Sequence, residues 1–454
     1  MEISLPSKFD WVDLSNYNFR NALTHVLEDD SNLFIQAKAG CGKSLIVSIL
    51  ADTLQDQLAV VTPTGTAAVN FVKDGIPAKT IHSFFGFPSV PILTDDVINR
   101  WTGSIGVMKK IDTLVIDEIS MVSSHLFDSL VRRLLKVRRG SLPRLIMFGD
   151  VLQLPPVIDE KEAIVADFYK KEYGSVSKAM FFSSHAYRNL GFKMLTMDQS
   201  YRQVDEDFAN NIYSIGIDSY DKEVLAYFNQ RVMSLRVYEQ KRGDTYIYMS
   251  PTNKQVDKIN AEYLDSINSL ERYTFVARKE GEAPVGVVDD EVTIKVGAQV
   301  IMTKNSTVLT GISANRRVRF NKYYNGQIGI VTAIDKDDQT VSVRLPSGEV
   351  IIVGRSWTDN LKPEIDEHGK ITYKSIGRIE QIDCKVCRAM TIHKSQGKTF
   401  DSAYLALTGW APPGLIYVGL SRLTSLEGLG LSRPLRPTDI AISKEAIEFL
   451  TQGV

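Results

Sequence analysis

A chain of 454 residues is long enough for two or more domains, each with its own core. Its 44% hydrophobic and 24% charged content is that of a globular protein; three cysteines exclude a disulfide framework, and no apolar run reaches membrane-spanning length, so a cytoplasmic rather than secreted protein is expected. A net charge of −1 excludes a broadly basic surface, so contact with nucleic acid would need a local patch or groove.

The first chemical signal is AKAGCGKS at 37–44. The phosphate-loop pattern is G-x-x-x-x-G-K-[ST], and Ala37 stands where its first glycine is usual. Gly40 and Gly42 are the demanding positions, because backbone N–H groups have to turn toward phosphate oxygens with no Cβ in the way. LFIQA before the loop reads as a buried parallel strand and SLIVSILADTLQ after it as a helix, the order that aims a helix N-terminus at an anion. The candidate ATP-binding residues are therefore Ala39, Gly40, Cys41, Gly42, Lys43 and Ser44; Lys43 would reach the β- and γ-phosphates and Ser44 would ligate Mg²⁺. Cys41 lies at the helix start, where a thiol left accessible has a lowered pKa.

Further along, VVTPTGTAAV ends a strand in small and hydroxyl residues, with Thr64 suited to a phosphate backbone. TIHSFFGF sets His82 beside Phe84, Phe85 and Phe87, a pattern used by single-strand stacking platforms and more often by hydrophobic cores; His82 and Phe84 are the candidate DNA contacts. LVIDEIS puts an acidic pair after four apolar residues: Asp117 for Mg²⁺ and Glu118 as general base toward the attacking water. LIMFGDVLQLPPV repeats the strand-then-loop form, and its Gln153 could bond the γ-phosphate or the lytic water. MSPTNKQVDKIN is another strand-loop-helix unit. Between 306 and 381 alternating strands and turns replace helix signals and read as a β-meander. The meander proper reads from NGQIGIVTAI onward, and the preceding NRRVRFNKYYNG mixes Arg316, Arg317, Arg319 and Lys322 with aromatics as a candidate DNA-contacting edge. Cys384 and Cys387 form a CxxC with no second pair at matching spacing, so no zinc site is expected.

AKAGCGKS, TPTGTAA, TIHSFF, VIDEISM, GDVLQLPPV, SYRQ, TIHKSQGKTF and YVGLSR occur in the order of superfamily 1 helicases, across 38–422. The set most resembles the 5′→3′ branch that includes RecD, Dda and the PIF-type helicases, in its bacterial or phage form. That resemblance implies an α/β fold: two RecA-like P-loop domains of parallel sheet and helices flanking one ATP. It implies a first domain at 1–194 with a wedge at about 86–106. The second would span 195–305 and 382–454, interrupted by an SH3-like barrel at 306–381. It further implies that Arg202 and Arg422 are arginine fingers, that Thr391 and His393 face the DNA backbone, and that Gln396 and Gly397 approach the nucleotide. Single-stranded and forked DNA are the implied partners, with no membrane. The relatives' adenine-reading glutamine is missing; its position falls on Asn18 or Phe19. The expected activity is ATP-dependent 5′→3′ unwinding. A single-strand translocase or nuclease-complex motor is the alternative, and a nucleotide-switched DNA-binding module is the reading outside enzymes.

Overall fold

Five residues, Leu33–Ala37, all apolar but Gln36, form strand β1, which is buried from end to end. In the computed structural model it lies in a six-stranded sheet with β2 (Leu58–Thr62), β3 (Ala78–Thr80), β4 (Thr113–Ile116), β5 (Arg144–Gly149) and β6 (Lys193–Met197). The model describes residues 5–452 except 39, 66, 69–70, 72–75, 200–204, 243–245, 283–288, 305, 307–309, 314–315, 320–322, 324–326, 346, 366–370 and 410. The order is β3-β2-β4-β5-β1-β6, and every neighbouring pair is parallel. Alternate residues feed two cores. Phe34, Leu114 and Met147 join one cluster, while Leu33, Ile35, Val115 and Ile146 join the other. Helices cover both faces, which is why these strands read as unbroken apolar runs.

By contacts, the chain divides into residues 1–251 with 395–454, and residues 252–394. The first unit also holds a second parallel sheet, in which Ala403–Leu405 lies between Ile247–Ser250 and Leu429–Leu431. These two parallel sheets flanked by helices, both in the first unit, are those of the two RecA-like domains.

The second unit is built mainly of antiparallel strands. Val350–Val353, Thr340–Arg344, Ile328–Asp335, Gln299–Met302 and Cys384–Val386 pair in that order, around a core that includes Phe275, Val300, Met302, Val341 and Ile351. The meander expected from NGQIGIVTAI onward is the first three of these strands. The basic edge expected around 316–322 falls only partly on described residues: Arg316–Arg319 is a strand paired with Thr310–Ser313, whereas Phe320 and Lys322 lie outside them.

Candidate active site and nucleic-acid contacts

In a parallel sheet the loops at the carboxyl ends of adjacent strands converge, and a ligand binds there. β4, β5 and β1 are consecutive neighbours in this sheet. Their carboxyl ends carry Asp117 and Glu118, then Asp150 and Gln153, then the loop of Gly40 and Gly42.

Gly40 and Gly42 have φ of 81° and 84°, the left-handed region that explains why glycine occupies both positions. Gly42 caps the helix Lys43–Leu54, whose buried face is Ile46, Val47, Ile49 and Leu50. Lys43 Nζ lies 3.9 Å from Glu118 Oε1, both side chains nearly buried. Glu118 itself takes φ 53°, a strained backbone for a residue with a side chain and of the kind concentrated at functional sites. β5 passes close beneath it: a Cβ on Gly149 would lie 2.7 Å from Ile119.

Asp117 Oδ1, Glu118 Oε2 and Ser120 Oγ are buried with no hydrogen-bond partner among the described residues. Such orphaned acceptors are costly and call for a missing ligand or water. Burial pushes the Asp117 carboxyl up to about 6, with the Glu118 charge adding to the rise and Lys43 opposing it. Two acidic oxygens beside a phosphate-loop lysine suit a hydrated cation and a nucleotide.

Asp150 is the junction of the third loop. Its Oδ1 accepts from Gln36 Nε2 at 2.8 Å and from the Leu152 N–H at 3.1 Å. Its Oδ2 accepts from Gln153 Nε2 at 3.4 Å and from the Tyr417 hydroxyl at 2.6 Å. Gln153 Oε1 in turn accepts from Gln396 Nε2 at 3.3 Å, and Gly397 beside it has φ 76°. Arg422 is 1% exposed and donates to the Val418 and Lys398 carbonyls and to Ser421 Oγ. These acceptors are neutral, while the charges of Glu118 and Asp150 act on the guanidinium from farther away. The structure therefore gathers Lys43, Asp117, Glu118, Gln153, Gln396 and Arg422 within one unit. Ser44 is exposed on the first turn of its helix. Ala39 and Arg202 lie outside the described residues.

Two expectations are corrected. Cys41 is 1% exposed and packs in the core with Ile46 and Val47; burial outweighs the lysines and pushes its thiol up to about 12. Phe84 is 3% exposed and meets Phe85 edge-to-face in the other core, so it offers no face to a base. The signal was the period: Ile81–Phe85 is a helix, and positions 81, 84 and 85 share its buried side. His82 is half-buried and Thr64 likewise. In the second unit Thr391 is buried and borders a cavity of about 310 Å³, and His393 is exposed.

Sequence reading missed a second cavity, of about 430 Å³, between Asn18, Lys38, Asp198, Tyr213 and Tyr417. Asn18 donates to Asp198 at 2.8 Å, and Lys38 Nζ stands 3.4 Å over the Tyr213 ring. Phe19 is buried in the core, so of the two positions aligned with the missing glutamine only Asn18 reaches this cavity. Contacts spanning some 180 residues leave no local trace in a sequence.

A phosphate loop, an acidic pair and a buried arginine on two RecA-like sheets are the parts of a P-loop nucleotide hydrolase. Residues 17–224 match the PIF1-like helicase family model. The ATP-dependent DNA helicase Pif1 of Campylobacter jejuni is 26% identical over 416 residues, 87% of each chain. Zebrafish PIF1 is 28% identical over 432 residues, 90% of this chain and 60% of that one. Among solved structures, Bacteroides Pif1 bound to single-stranded DNA superimposes with a TM-score of 0.79 at 26% identity, and its complex with ADP-AlF3 and single-stranded DNA with 0.79 at 28%, each covering 97% of both chains. By these matches the chain is similar to the PIF1-like helicases.

Proposed function

We propose that this protein is an ATP-dependent DNA helicase that translocates 5′→3′ on single-stranded DNA and unwinds duplex, working in the cytoplasm. The observation that carries the proposal is the convergence of Lys43, Asp117, Glu118, Gln153 and Arg422 on the carboxyl ends of β4, β5 and β1. The names of its relatives and the nucleotide and DNA held by the Bacteroides protein support it.

In this reading the loop amides around Gly40 and Gly42, with Lys43, hold the phosphates. Glu118 takes the proton of the attacking water, and Gln153 orients that water or the γ-phosphate. Arg422 and Arg202 neutralise charge that develops in the transition state. Ser44 and Asp117 would hold Mg²⁺, which when bound screens the phosphate charge. Thr64, His82, Thr391 and His393 are the proposed DNA contacts; Phe84 is no longer among them. The proposed domains are 1–194, 195–305 with 382–454, and an SH3-like insertion at 306–381, narrower than the compact unit 252–394.

Strand displacement on forks carrying only a 5′ or only a 3′ tail tests the proposal. Unwinding should need ATP and the 5′ tail. Displacement that needs only a 3′ tail would reverse the direction while leaving the ATPase in place. Glu118→Gln should bind ATP and hydrolyse it at least a hundredfold more slowly, in the range typical of lost general-base catalysis of about 10²–10⁴.

A further inference from the structure

The motif chemistry accounts for Gln153 and Arg422 but not for what keeps them in register. Gln153 follows β5, whereas Arg422 caps the helix Leu415–Ser421, more than 260 residues later in the chain. Between them stands Tyr417. We propose that Tyr417 is a positioning residue for ATP hydrolysis: its hydroxyl, donated to Asp150, fixes the loop of Gln153 against the helix that ends in Arg422.

Three observations carry this. Asp150 is fully buried, and its two oxygens accept four hydrogen bonds that join β1, its own loop, Gln153 and Tyr417. The Tyr417 bond, at 2.6 Å, has the short length of a hydroxyl donating to a carboxylate. The helix is also seated tightly on the same loop. Gly414, its N-cap, has φ 78°, and a Cβ there would lie 2.7 Å from the Leu152 carbonyl. On its other side the Tyr417 ring rests on Gly216, where a Cβ would come within 2.8 Å of it. Packing alone would be met by phenylalanine. The hydroxyl is what phenylalanine lacks, and a buried hydroxyl is tolerated because it is bonded. Burial and the Asp150 charge push the Tyr417 phenol well above its ordinary value, so it stays a donor at every working pH. One turn of helix separates Tyr417 from Ser421, whose Oγ receives Arg422 Nη2 at 2.9 Å. The link from Gln153 to Arg422 thus runs through the Asp150 and Tyr417 side chains and then one turn of helix to Ser421.

The inference rests on the roles proposed above for Gln153 and Arg422. The experiment measures DNA-stimulated ATP hydrolysis, ADP affinity and thermal melting for wild type, Tyr417→Phe, Gln153→Ala and the double variant. Tyr417→Phe should lower kcat tenfold or more while ADP affinity stays within twofold, because the ring still packs and the phosphate loop is untouched. If the hydroxyl acts through the Gln153 loop, adding Tyr417→Phe to Gln153→Ala should cost less than a further threefold. A Tyr417→Phe protein with kcat within twofold of an active wild type overturns the positioning role alone. So do effects that multiply, or a parallel loss of ADP affinity and of the melting transition. A wild type that DNA does not stimulate would remove the helicase reading and this inference with it.

Discussion

Asp117 and Cys41 show burial acting in opposite directions on function. Asp117 is a carboxyl whose protonated form is favoured, up to about pH 6, by the same dry surroundings that leave its Oδ1 without a partner among the described residues. Its folded value lies above its unfolded one, so the folded state binds the extra proton between about pH 4 and pH 6. The group therefore costs stability increasingly as pH rises through that window, and the cost is complete above it. In the proposed reading cation binding has the reverse sign, because only the ionised carboxylate would hold Mg²⁺. The apparent Mg²⁺ affinity of the ATPase should fall steeply as pH drops below about 6, and the nucleotide-free protein should melt at a higher temperature near pH 5 than this group alone would allow at pH 7. Titrating Mg²⁺ at pH 5.5 and 7.5 checks the first, and differential scanning calorimetry the second. Cys41, by contrast, is buried where a neutral thiol is favoured, pushed up to about 12. A thiol reagent at pH 8 should leave Cys41 unmodified on the timescale on which an exposed cysteine reacts, as mass spectrometry of the intact folded protein would reveal. Rapid labelling that Mg-ATP suppresses would mean that the loop opens.

At the scale of the element, the segment between β3 and β4 is held to the helix Ser124–Val137 by His125 at Leu93, by Arg132 at Asp95 and, with the most bonds, by Arg133. Arg133 is fully buried and donates to the carbonyls of Phe85 at 2.8 Å, Thr102 at 3.0 Å, Ile98 at 2.5 Å and Val97. Its guanidinium lies over the Phe87 ring, 5.0 Å from the centroid. Gly86 and Gly103 close the base of the segment backbone to backbone: a Cβ on Gly86 would lie 2.5 Å from the Gly103 nitrogen. Arg133→Met keeps the stem but strands several buried carbonyls, each worth about 1–3 kcal/mol when left unpaired. It should destabilise the protein by at least about 3 kcal/mol in urea unfolding. If 86–106 is the proposed wedge, strand displacement should suffer more than DNA-stimulated hydrolysis in whatever folded protein remains. The parts of the fold that sequence made legible are those whose cause is local. Apolar runs ahead of Gly40, Asp117 and Asp150 mark buried strands, and the loops after them carry the proposed site. What stayed hidden needed three dimensions. An aromatic beside a histidine suits a core and a stacking platform alike, and only the helical turn at 81–85 turns Phe84 inward. The Asp150–Tyr417 bond joins positions 267 residues apart, and neither residue type announces it.

For the whole molecule, a net charge of −1 constrains how DNA can be held. The proposed contacts Thr64, Thr391, His82 and His393 are hydroxyls and imidazoles, and burial keeps His82 below the ordinary histidine value and therefore neutral at pH 7. Neutral donors bond phosphates without releasing many condensed counterions. For single strands the logarithm of affinity falls with the logarithm of salt by about 0.7 per phosphate neutralised, so two such phosphates cost about sevenfold between 50 and 200 mM salt. Six would cost roughly three-hundredfold over the same range. We expect the shallow dependence, read by fluorescence anisotropy of a labelled oligothymidine with the nucleotide-free protein at pH 7.5. The acid side supplies an independent sign. A phosphate beside His82 raises its pKa on binding, so protons are taken up and affinity should strengthen as pH falls from 7 toward 5.5. His82→Gln should keep the hydrogen bond and lose that pH gain. A steep salt dependence, on the order of a hundredfold or more, would instead put Arg316, Arg317 and Arg319 on the DNA. Neutralising those three arginines would then flatten the slope, whereas in the expected case it leaves the slope where it is.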